Sequence, residues 1–173
     1  MSLYSWDYKR STPADEWFRM AHAYIEASDV LFANLGDGGL SATFHHAKAA
    51  AFLFEQSLEH FLKGSLLVAG DRITRTHDLG SLYARFRKLF PGKSFSWTGR
   101  IDEVAAPIPT QPGSEFLRYP ADASGAEWSG NAHFELAIWH PQVRAFREDY
   151  LRLEPLIRAR FQTGQTEPGV AAT

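Results

Sequence analysis

From about Ser41 to Ala69, apolar residues return at every third or fourth position: Phe44, Ala47, Ala51, Phe54, Leu58, Phe61 or Leu62, and Leu66. That period belongs to an α-helix, because a strand would alternate its two faces residue by residue. The run holds no proline, and at helical rise it is about 40 Å long. A helix of that length with one apolar face must be covered along most of it, and further helices are the simplest cover. A second stripe of small residues, Ala50, Ser57 and Gly64, recurs at seven-residue spacing and would let another backbone approach closely.

The flanking sequence supplies such helices. Trp17, Met20, Ala21, Tyr24, Ile25, Ser28, Leu31, Phe32 and Leu35 predict an amphipathic helix starting near Pro13, with Thr12 as its cap, and ending at Gly36-Asp37-Gly38-Gly39. Leu79, Leu82, Phe86 and Leu89 predict a shorter one that begins at His77 or Asp78 and stops at Phe90-Pro91-Gly92. A last helix opens between Phe134 and Pro141 and runs through Arg160, with Pro155 expected to kink or break it after Glu154. Between Pro91 and Asn131, proline and glycine alternate in a long irregular connection, with one short helical turn expected at residues 100–106. No stretch alternates as a strand does. The expected fold class is therefore all-α, an antiparallel up-and-down bundle of four to five helices. Residues 1–12 read as a lead-in, 13–162 as one domain and 163–173 as a disordered tail.

The 173-residue length is enough for a core without staples, and the composition, 45% hydrophobic and 22% charged, is that of a soluble globular chain. Absence of cysteine excludes a disulfide framework and any thiolate-bound metal, and is consistent with a reducing cytoplasm. No apolar run is long enough to span a bilayer, the first ten residues lack a signal-peptide core, and the expected location is cytoplasmic. A formal net charge of −2 argues against a globally basic nucleic-acid binder. The densest basic run, Arg72, Arg75, Arg85, Arg87 and Lys88, reads either as a solvated face or as a local anion patch.

Chemistry concentrates between Gln56 and Leu79. Glu59 and Lys63 stand four residues apart in the glutamate-first order, which on its own describes a solvated helix pair worth about 0.3–0.5 kcal/mol. A lysine beside a cleft is also a phosphate partner. Next come His77, able to bond Glu59 or a backbone carbonyl, and Asp78, suited to cap the helix it opens. Metal ligation is not expected: adjacent His45 and His46 point about 100° apart on a helix, and no His-Glu-x-x-His is present. His60 reads as a satisfied interface or core histidine.

The order Gln56, Glu59, Lys63, then His77-Asp78-Leu79, and later Arg118-Tyr119-Pro120, resembles the HEPN (higher eukaryotes and prokaryotes nucleotide-binding) family. In helix order the likeness spans roughly residues 13–162. It implies a helical bundle that commonly forms a homodimer through its long helices. Members are often paired with a minimal nucleotidyltransferase or found in toxin–antitoxin systems, and bind nucleotides or RNA. Catalytic members of the family carry an Arg, four to six residues, then a His. Arg72 with His77 fits the count, but apolar Ile73 follows the arginine and the pair stands before the third helix, so the match reads as coincidence. The resulting expectation is a non-catalytic module without cofactor or metal, binding a nucleotide, RNA or partner protein. Its ligand residues would be Glu59, Lys63, His77, Asp78, Arg118 and Tyr119, with Arg118 reaching a phosphate and Tyr119 stacking. Two alternatives stand beside it: a divergent metal-independent ribonuclease toxin acting through His77, and a purely structural dimer whose small-residue stripe forms an obligate interface.

Overall fold

A computed structural model describes residues 12–38, 44–73, 76–96 and 136–162. Four helices stand among them, with no strand: α1 (Pro13–Gly36), α2 (Phe44–Val68), α3 (Leu79–Leu89) and α4 (Leu136–Gln162). The all-α expectation holds.

Several helix ends have a chemical cause. Thr12 and Asp15 close a capping box on α1: the Asp15 amide donates to Thr12 Oγ1 at 3.2 Å, and the Thr12 amide donates to Asp15 Oδ2 at 2.9 Å. Pro13 takes the first helical position, where its missing N–H is not needed. At the other end of α2, Gly70 adopts φ +74°. The Asp71 amide then reaches Leu66 O at 3.0 Å and the Gly70 amide reaches Leu67 O at 2.9 Å, satisfying two terminal carbonyls in a Schellman turn.

The pairings fix the directions. Ser28 Oγ donates to Ala50 O, and Phe18 meets Phe61, so α1 and α2 run antiparallel. Asp15 pairs with Arg158, His22 with Glu154 and Asp29 with His140, which sets α4 antiparallel to α1 as well. α3 packs on α2. The core between them is largely aromatic, with Phe18, Phe54, Phe61, Phe86, Phe95, Phe146 and Tyr150 all buried. Phe61 and Tyr150 stack at 4.2 Å with 11° between planes, and the Tyr150 hydroxyl shares a 3.0 Å hydrogen bond with Ser57.

Several expectations need correction. On α1 the core residue is Phe18, while Met20 is 39% exposed. Phe44, counted on the apolar face of α2, is 41% exposed. Pro155 does not break the last helix, which continues to Gln162. Pro155 and Leu151, whose carbonyl loses its N–H partner, both lie on the exposed side, so water can take that carbonyl. The small-residue stripe is an internal seam: Ala50 and Ser57 are fully buried, and Gly64 faces the Phe18 ring. It accepts α1 and α4 of the same chain, so it is not the interface of a second copy. The turn expected at 100–106 lies outside the described residues.

Candidate functional site

Lys63 and Glu59 project from the same side of α2 toward the loop that enters α3. Lys63 Nζ donates to Glu59 Oε1 at 2.7 Å. His77 brings its Nδ1 to 3.0 Å and 3.1 Å of the two Glu59 oxygens, so one carboxylate ties the lysine to the loop. The solvated-pair reading is thereby overturned: side-chain exposure is 3% for Glu59 and 5% for Lys63. One reason lies on α1, where the Trp17 ring centroid stands 5.1 Å from Lys63 Nζ. Trp17 also packs on His60 at 4.7 Å, and Tyr24 meets the same imidazole edge-on at 5.2 Å. His60 Nδ1 bonds the Gln56 carbonyl at 2.7 Å, and burial holds its pKa below the ordinary histidine value.

Burial alone would push the Glu59 carboxyl up. The hydrogen bonds from Lys63 and His77 outweigh it and hold the group below the usual range, so Glu59 is ionised. An ionised carboxylate only accepts, and His77 therefore carries a proton on Nδ1. The imidazole is 57% exposed, and its Nε2 has no partner among the described residues. A buried anion thus orients an exposed ring whose second nitrogen is available to a ligand.

Asp78 is occupied differently. Its side chain accepts from the Gly80 amide at 3.1 Å and from the Ser81 hydroxyl, capping α3; the Ser81 bond leads the causes that lower its pKa. It shapes the loop that carries His77. Arg118 and Tyr119 lie outside the described residues. In the loop itself, Arg85 grips Asp71 Oδ2 at 2.8 Å and the Arg72 carbonyl at 2.6 Å, which fixes the path from α2 to α3. Among the described residues no group of three His, Asp or Glu could hold a metal ion, and no helix is long and apolar enough to cross a membrane.

Sequence reasoning brought Glu59, Lys63 and His77 to one place but missed Trp17, which it assigned to the core face. The only signal was its place on α1 opposite the Lys63 turn, and that becomes visible only when the two helices are paired.

No curated protein matches the chain, and no solved structure does. A family model, the HEPN domain, matches residues 14–105. The matched stretch covers α1, α2, α3 and the whole Glu59–Lys63–His77 corner, more than half of the sequence. The chain belongs to the HEPN domain family.

Proposed function

We propose that the protein is a non-catalytic HEPN module that binds the anionic part of a nucleotide or RNA at His77, as a homodimer working beside a nucleotidyltransferase or within a toxin–antitoxin pair. Family membership supports nucleotide- or RNA-related work in a general sense. The observation that carries the finer reading is the buried Glu59 carboxylate, which orients exposed His77 and holds Lys63 behind it. In this reading His77 Nε2 meets the ligand, Lys63 and Glu59 set the local charge, and Asp78 holds the loop. Arg118 and Tyr119 complete the site as phosphate partner and stacking ring.

The test is a thermal-shift titration with nucleoside mono-, di- and triphosphates. Ligand at 100 times its dissociation constant adds about 2.7 kcal/mol to stability, a shift that is easily read. His77→Ala and Arg118→Ala should each abolish it, and an unchanged shift would remove that residue from the site.

The same Glu59–His77 bond is what a general base needs, and it favours the ribonuclease toxin as the second reading. Base catalysis requires the neutral ring, with the Nε2 lone pair turned to the substrate. It also predicts growth inhibition on expression that His77→Ala relieves; harmless expression of the unaltered chain counts against it.

A further inference from the structure

The charge of this chain is unevenly placed. Residues 69–96 contain six Lys and Arg against two Asp and no Glu, while the remaining residues hold twelve against eighteen. Both acids in the basic stretch are engaged. Asp71 is bound by Arg85 and by the Arg72 amide, and its pKa is lowered chiefly by the Arg85 hydrogen bond. Asp78 caps α3. What stays outward is positive: Arg72, Arg87 and Lys88 are exposed and Lys93 is half-buried, and among the described residues none is at ion-pair distance from a carboxylate, Lys88 acting on Asp71 only from farther off. Four arginines of α4 differ. There Arg144 and Arg147 share Asp29, Arg152 is on Asp149, and Arg158 is on Glu154 and Asp15.

Among the described residues the rings beside these cations belong to the core, and the Arg87 guanidinium lies 6.0 Å over the Tyr83 ring. Tyr83, Phe86, Phe90 and Phe95 turn inward, and all four are buried. Surface cations without exposed rings can hold phosphates but cannot stack bases. Arg87 and Lys88 in the last turn of α3 also favour the helix dipole, but that explains two cations and not the loop's Arg72 or Lys93.

We infer that α3 and its flanking loops form a second anion surface, separate from the His77 corner, which holds the phosphodiester backbone of a single strand by charge alone and reads no base. The inference stands whether or not the nucleotide reading of His77 holds.

The experiment is fluorescence anisotropy of the full chain with labelled single strands of about a dozen nucleotides, RNA and DNA, between about 50 and 200 mM salt. RNA and DNA of the same sequence should bind alike. Arg87→Ala with Lys88→Ala should lower affinity about tenfold at low salt and reduce the slope of log K against log salt by about 1.4, near 0.7 per lost contact. Arg144→Ala with Arg147→Ala should leave both unchanged. A Lys88→Glu variant, at an exposed helical position, should weaken binding further with helix content unaltered. Absence of strand binding, an unchanged slope in the Arg87/Lys88 variant, or equal loss in the α4 variant overturns the assignment. RNA binding far tighter than DNA overturns readout by backbone charge. Displacement of the strand by poly-glutamate at equal charge concentration would give the face to an acidic protein instead. His77→Ala separates the two proposals: it should abolish the nucleotide shift and leave the strand affinity and slope intact.

Discussion

At Glu59 two opposing effects meet, and hydrogen bonding wins over burial. Taking a buried ion pair as a whole, desolvation offsets most of the attraction, so the Glu59–Lys63 pair adds little net stability. Removing one partner is another matter. Glu59→Ala leaves the Lys63 ammonium buried beside Trp17 with its carboxylate gone, and urea unfolding should show a loss of about 3–5 kcal/mol. Asp15 illustrates the same balance at the surface. Its carboxyl is lowered to about 2, first by the Thr12 hydroxyl and, after a smaller opposing effect of burial, by the Thr12 amide and Arg158. A depressed carboxyl contributes stability above its unfolded value, near 3.8, and loses it as pH falls toward 2. The α1 capping box should therefore weaken between pH 4 and pH 2, and Asp15→Asn should flatten that part of a stability–pH profile. At this scale the sequence was only half legible. Letters and spacing located Glu59, Lys63 and His77, but a charged pair four apart looks identical whether water or a tryptophan covers it.

Helices were the most legible level, because their period is written locally. Errors arose where two neighbouring residues compete for one face. Trp17 and Phe18 differ by about 100° around α1, and only docking on α2 selects Phe18 for the core. Pro155 was over-read for a similar reason. A proline ends a helix when the freed carbonyl has no alternative partner, and here the affected turn faces solvent. The folded helix still lacks one hydrogen bond there. Pro155→Ala should restore it and raise the unfolding free energy by about 1–2 kcal/mol, measurable by denaturant titration with unchanged helix content. A loss of stability would mean that proline's restriction of the unfolded chain outweighs the missing bond.

On the scale of the molecule, α4 is held to α1 by two clusters of charged side chains. Glu154 accepts His22 at 2.7 Å and Arg158 at 2.8 Å; Asp29 accepts His140 at 2.9 Å with Arg144 and Arg147 farther out. Apart from the local Glu154–Arg158 pair, the partners are 111 or more positions apart in the chain, so no local pattern announces the contacts between the two helices. His22 and Asp29 are about 10 Å apart along α1, far enough for independence. Glu154→Gln and Asp29→Asn should each cost about 1–2 kcal/mol, and the double substitution should equal their sum within about 0.5 kcal/mol by calorimetry. A clear departure from additivity would mean that α4 docks as one cooperative unit.

Asp149 adds one further tie. Though only 1% exposed, it accepts the Ser96 amide at 2.6 Å and the Ser96 hydroxyl at 2.8 Å, fastening the exit of the α3 region to the middle of α4. The chain re-enters at Leu136, on the same helix and about 20 Å away along its axis. Ser96 and Leu136 are thus held at a fixed separation on one helix. Any segment that joins those two points must close a gap of about 20 Å, and loop-closure entropy rises only slowly with its length.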